Sequence, residues 1–138
     1  MAISFIIMYS VMFLNVDGAN HIHISITRAY MALLMVAPMA ILMLLLMGNM
    51  FPNKKWNRLI IAGSILVFAL SLYALRVQAF ISDEQYMRAM IPHHSSAILT
   101  SKHANINDPE VRSLADKIIR SQEEEIAQMK SILERMED

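Results

Sequence analysis

Two long apolar runs, residues 29–51 and 59–80, are separated by only seven residues, and few folds accommodate both in one short chain. A helix needs about 20 apolar residues to cross the hydrocarbon core of a bilayer, and each run supplies them. In lipid, backbone N–H and C=O groups must be satisfied within the protein, so such runs form helices. Pro38 falls inside the first run, a position tolerated where neighbouring helices satisfy the freed carbonyl. Residues 1–16 (MAISFIIMYSVMFLNV) are apolar too and lack the basic front and small-residue cleavage site of a signal peptide. They read as a further span. The expected fold is therefore all-α, with a membrane domain over 1–80 whose three spans cover about 1–16, 29–51 and 59–80.

Charge divides the chain at the same place. Hydrophobic residues make up 56% of the sequence and charged ones 17%, too apolar a balance for an ordinary soluble domain. Residues 1–80 carry five basic side chains and one acidic one, Asp17; residues 81–138 carry seven basic and eleven acidic. No basic stripe matches a phosphate backbone, so nucleic acid is not an expected partner. Cysteine is absent, which removes disulfides, thiolate metal sites and a cysteine nucleophile. The 52–58 connection holds Lys54, Lys55 and Arg58, and the positive-inside bias assigns it to the cytoplasm. With three spans the N-terminus is also cytoplasmic. The His21/His23 loop and residues 81–138 then face the opposite, periplasmic side of a bacterial inner membrane.

Residues 81–138 read as two helices. Ser82 and Gln85 fit the ends of a capping box, and the first helix runs to about Ala104. Asp108-Pro109 starts the second, with a cap followed by proline at the first helical position, and this helix continues to about Met136. Its seam, Ala115, Ile119, Gln122, Ile126, Met129, Leu133 and Met136, alternates four and three apart. The short link makes the pair an antiparallel hairpin. Folding about the loop centre sets Gln122 opposite Ile91 and Glu125 opposite Arg88. Two helices bury little surface. A second copy would complete a four-helix bundle, so a homo-oligomer is expected, most simply a dimer.

The chemistry concentrates in Met87-Arg88-Ala89-Met90-Ile91-Pro92-His93-His94. Thioether sulfur and imidazole nitrogen are soft-to-borderline donors that favour copper over magnesium or calcium. Met90 precedes His93 by three residues and His94 by four, so the three can share one side of a helix, with Met87 close to the same stripe. Pro92 lacks an N–H and is expected to kink or restart the backbone. The alternative is that the methionines fill a core and the histidines are hydrogen-bonded or exposed. Gln122 either fixes helix register as a buried polar group or orients an imidazole from behind the ligand set. Glu125 either pairs with Arg88 or reaches the metal. His103 lies nine residues beyond His94, about 13 Å along a straight helix, too far to share its ion. His21 and His23 form a second candidate metal position. Met31, Met35, Met39, Met43 and Met47 recur every fourth residue along the second run, as packing surface or as a copper(I) path.

Met90-Ile91-Pro92-His93-His94 with Ala97-Ile98, and then Leu114-Ala115, Ile118-Ile119, Gln122, Glu125-Ile126 and Met129, resemble the domain of unknown function 305 family. The resemblance covers residues 83–136, and the three-span front is similar to the family's membrane-anchored branch. It implies a ferritin-like helical bundle, here a half-bundle, and extracytoplasmic copper binding linked in some members to metal tolerance. Carried over by position, it points to Met90, His93, His94, Gln122, Glu125 and Met129. The chain is shorter than the many members with two such helical units.

Two functions follow as expectations. One is a membrane-anchored protein that sequesters or hands on copper, Cu(I) or Cu(II), through a cluster of Met87, Met90, His93, His94 and Met129, with a delivery partner the sequence does not identify. The other is a structural or assembly subunit whose tail mediates oligomerisation without metal. An enzyme is not expected. Di-iron bundles use Glu-x-x-His pairs, absent here, and Ser95 and Ser96 have no evident acid–base partner in sequence.

Overall fold

The computed structural model describes residues 2–47, 50 and 52–137; the expected boundaries at Met1, Phe51 and Asp138 lie outside the described residues. Among the described residues the chain is all-helical: α1 (Ala2–Val11), a 3₁₀ turn (Ala19–His21), α2 (Ile26–Leu46), α3 (Lys54–Arg76), α4 (Asp83–His103) and α5 (Pro109–Glu137). It divides into two compact units. One joins Met1–Met12 to Ile26–Phe80, and the other joins Phe13–Ser25 to Ile81–Asp138.

In the first unit, α2 and α3 are long and apolar enough to cross a membrane. The expected first span is not a third such helix. α1 has ten residues, about 15 Å of rise against roughly 30 Å of hydrocarbon. The helix stops because its tail has better partners elsewhere. The buried Arg28 guanidinium donates to the Met12 carbonyl at the end of α1. Beyond it, Asn15 and Asp17 make hydrogen bonds to α4 that a continued helix would forfeit.

α2 packs through Ala32, Val36, Ala40 and Leu44, a stripe of small and medium side chains that permits close helix approach. The methionine stripe is offset from it by one residue and faces out of the unit, with Met31, Met35, Met39 and Met47 exposed. Within this unit the methionines are therefore not the packing surface. α3 starts at Asn53, whose side chain accepts the Trp56 N–H at 3.3 Å. It ends in a Schellman-type turn in which the Ala79 N–H reaches back to the Ala74 carbonyl, with Gln78 at φ 52° and Phe80 at φ 59°. The Tyr30 hydroxyl donates to the Ala79 carbonyl at 2.9 Å and pins this turn to α2.

In the second unit, α4 and α5 lie side by side over a core of Met87, Ile91, Ile98, Ile126 and Leu133. Ser82 accepts the Gln85 N–H at 3.3 Å at the start of α4. Asp108 Oδ1 accepts the Glu110 and Val111 N–H groups at 2.9 and 3.0 Å at the start of α5. The helix stays regular through the buried Pro92 rather than restarting there. The level matching differs from the symmetric fold expected. His94, not Arg88, stands opposite Glu125, and Arg88 instead pairs with Glu84 one turn away on α4. α4 ends at Ala104 in extended conformation, so the link spends chain before α5 begins at Pro109 and the register shifts.

Residues 13–25 form the third side of this unit. The Asp17 N–H donates to Ser95 Oγ at 2.7 Å, His21 Nδ1 lies 2.8 Å from the same hydroxyl, and the Asn15 amide donates to Ser96 Oγ at 2.9 Å. Lys102 Nζ joins all three elements, 3.1 Å from Asp17 and 3.2 Å from Glu123.

Candidate functional site

His94 is 8% exposed and both of its ring nitrogens face oxygen. Nδ1 lies 2.9 Å from the Met90 carbonyl one turn back, and since a carbonyl only accepts, Nδ1 carries a hydrogen. Nε2 lies 2.7 Å from Glu125 Oε2 across the helix pair. The other Glu125 oxygen accepts from the Ser121 hydroxyl at 2.8 Å. These two hydrogen bonds, Ser121 first and His94 second, hold the Glu125 carboxyl below the usual carboxylate range. Glu125 is thus fixed at both oxygens on an otherwise open face of α5.

The pair stands in the wall of a cleft of about 610 Å³ between α4 and α5. Met87 and Met90 line it from α4; Met129 and Met136 line it from α5, together with Ile132. Four thioethers, one imidazole and two carboxylates, Asp83 and Glu125, share this cavity with the Arg135 guanidinium. Helix periodicity explains the α4 contribution, since residues 87, 90 and 94 follow the three-and-four spacing of one face.

The structure separates other members of the expected set. His93 is exposed and does not line the cleft; its ring meets that of His94 edge-on at 5.9 Å. Adjacent residues on a helix differ by about 100° in direction, so a histidine pair sends one ring in and one out. Gln122 is half-buried on α5 outside the cleft, and its Oε1 is buried without a hydrogen-bond partner among the described residues. His21 is bonded to Ser95, and its pKa is lowered by burial first, then by Lys130, with Asp17 opposing and Lys102 adding to the effect. His23 lines a smaller pocket with Arg88 and Lys130. Asp17 opposes the two lysines at His21, and Glu134 joins Arg88 and Lys130 in the pocket of His23. Among the described residues, no three His, Asp or Glu side chains converge in the manner of a zinc or di-iron site. His103 is exposed near the end of α4.

Sequence reasoning missed two participants. Met136 was readable only as a seam residue, although its four- and three-residue spacing from Ile132 and Leu133 on α5 was visible. Ser95 carried no signal at all, because its partners lie more than seventy residues away.

The described chain is all-helical, with a methionine-lined cleft between α4 and α5 and two apolar helices of spanning length. Residues 71–138 match the family described as "Domain of unknown function (DUF305)". The chain is also 41% identical over 127 residues to "Uncharacterized protein L153" of Acanthamoeba polyphaga mimivirus, an alignment covering 91% of this chain and 82% of that protein. The chain belongs to the DUF305 family. No solved structure matches it.

Proposed function

We propose that this chain is a membrane-anchored copper-binding protein that sequesters or passes on the ion at the outer face of a bilayer. The observation that carries the reading is the convergence of Met87, Met90, Met129 and Met136 with His94 in one cleft. Thioethers are soft donors, and a set dominated by them suits Cu(I) better than Cu(II), zinc or magnesium. The donors present fit the ion. Met90, Met129 and His94 would hold it, with Met87 and Met136 beside them and the Met90 carbonyl, which accepts from Nδ1, orienting the imidazole from behind. His94 Nε2 is bonded to Glu125, so capture of an ion at that nitrogen exchanges one partner for the other. Bound there, copper is cargo, and the chain's own contribution is a half-buried, sulfur-lined seat.

The topology that goes with this reading has two spans, α2 and α3, with the basic 52–58 connection in the cytoplasm. An even number of crossings returns residues 13–25 and 81–138 to one side, which agrees with their belonging to one compact unit. A ten-residue α1 no longer sends the N-terminus across by the same count. A bacterial inner membrane suits this arrangement. The half-bundle is completed by a second copy, most simply in a dimer.

An assembly subunit without metal is the second reading. It is favoured by Val111, Leu114 and Ile118, an exposed apolar stripe on α5 at helical spacing. Copper titration of the purified full-length protein decides between them. Wild type should bind Cu(I) stoichiometrically, His93→Ala should bind as wild type does, and both His94→Ala and the near-isosteric Met90→Leu/Met129→Leu double variant should bind more weakly. Equal binding by wild type and the His94 and Met variants would leave the assembly reading in its place.

A further inference from the structure

Ser95 is 0% exposed and sits next to His94 in sequence. Its hydroxyl nevertheless meets two groups of the 13–25 connector. The Asp17 N–H donates to Ser95 Oγ at 2.7 Å, so the Ser95 hydrogen is free to go to His21 Nδ1 at 2.8 Å. Asn15 holds the next hydroxyl, Ser96, at 2.9 Å. These contacts fall on the first turn after Pro92, where the missing N–H leaves out the helix bond that would run to the Arg88 carbonyl. The helix is thus least tied to its preceding turn just where the imidazole must be aimed. The Nδ1 bond to the Met90 carbonyl is internal to α4 and cannot set how this turn is rotated. The connector can, because it grips the turn from outside the helix.

We infer that Ser95 is a positioning residue: held by Asp17 and His21 of the 13–25 connector, it sets the rotation of the α4 turn that directs His94 at Glu125 and the methionine cleft. The inference rests on the copper reading only for its binding readout; the aim of the ring is a property of the metal-free protein. It also makes the segment leading into α2 a working part of the site. Supporting hydrogen bonds of this kind are worth about 10–100-fold in metal affinity.

The test uses full-length protein in detergent micelles and four forms: wild type, Ser95→Ala, His21→Ala and His21→Asn. Asparagine keeps an acceptor near the place of Nδ1. Helix content by circular dichroism establishes that each variant is folded. In metal-free samples labelled with ¹⁵N-histidine, the ring signals of His94 should shift in Ser95→Ala and His21→Ala and return toward wild type in His21→Asn. Cu(I) affinity, measured by chelator competition, should fall about 10–100-fold in the first two and recover in the third. Unchanged His94 ring signals in folded Ser95→Ala and His21→Ala overturn the positioning role whatever the copper result. Shifted ring signals in a wild-type background that binds no copper uphold it and remove the copper reading instead.

Discussion

Between His93 and His94 there is one residue of register and about 100° of rotation, and that rotation decides which ring meets a carboxylate. The split was legible from helical geometry once α4 was known to continue through Pro92; the expectation that proline restarts the helix concealed it. Glu125 was not legible in the same way. Its partner depends on how much chain the 104–108 link consumes, a quantity no periodicity encodes. His21 makes a separate prediction at this scale. Burial and the nearby Lys130 lower its pKa from 6.5, so the folded state prefers the neutral ring that accepts from Ser95. A depressed histidine stabilises the fold fully above the unfolded pKa, and that contribution is lost as the pH falls from there through the folded value. Thermal unfolding scanned between pH 7.5 and 5 should therefore lose more stability in wild type than in His21→Asn, which cannot titrate. Parallel pH profiles would show that His21 is not the responsible group.

At the scale of elements, the parts that could be read in advance are those fixed by near neighbours. Ser82 and Asp108 were placed as caps because an N-cap answers N–H groups two or three residues on, and both side chains accept those bonds in the structure. Asp108→Ala should cost about 0.5–2 kcal/mol of stability in denaturant unfolding, with no change in helix count at low denaturant. A loss well below that range would show that Pro109 and the α4 contacts start α5 without the cap. The parts that could not be read are those fixed by distant neighbours. Residues 1–16 are uncharged and largely apolar, and nothing local announces that Met12 gives its carbonyl to Arg28 while Asn15 and Asp17 turn to α4. The methionine period on α2 was visible, yet its neighbour stripe does the packing, because Ala32 and Ala40 let helices approach where methionine would hold them apart.

For the whole molecule, the chain alternates between its two units: residues 13–25 leave the apolar helices, dock on α4 and α5, and return as α2. Two crossings predict that reporters after residue 23 and after residue 137 give the same sidedness, opposite to one placed near Asn53. Opposite signals from the first two would mean that only one of α2 and α3 crosses; whether α1 crosses is read by a reporter at the N-terminus, which sides with Asn53 if it does and with residue 23 if it does not. The division of charge at residue 80 was present in the sequence; the interleaving of the chain between the two units was not.

The cleft's lining has a chemical liability beside the use proposed for it. A thioether open enough to meet an ion is open enough to meet peroxide, and oxidation of Met90, Met129 or the exposed Met136 to the sulfoxide replaces a soft sulfur face with a polar, chiral S=O group. Oxidative damage would thus silence the seat while leaving the helices that frame it intact, and a reductant acting on methionine sulfoxide would restore it without resynthesis of the chain.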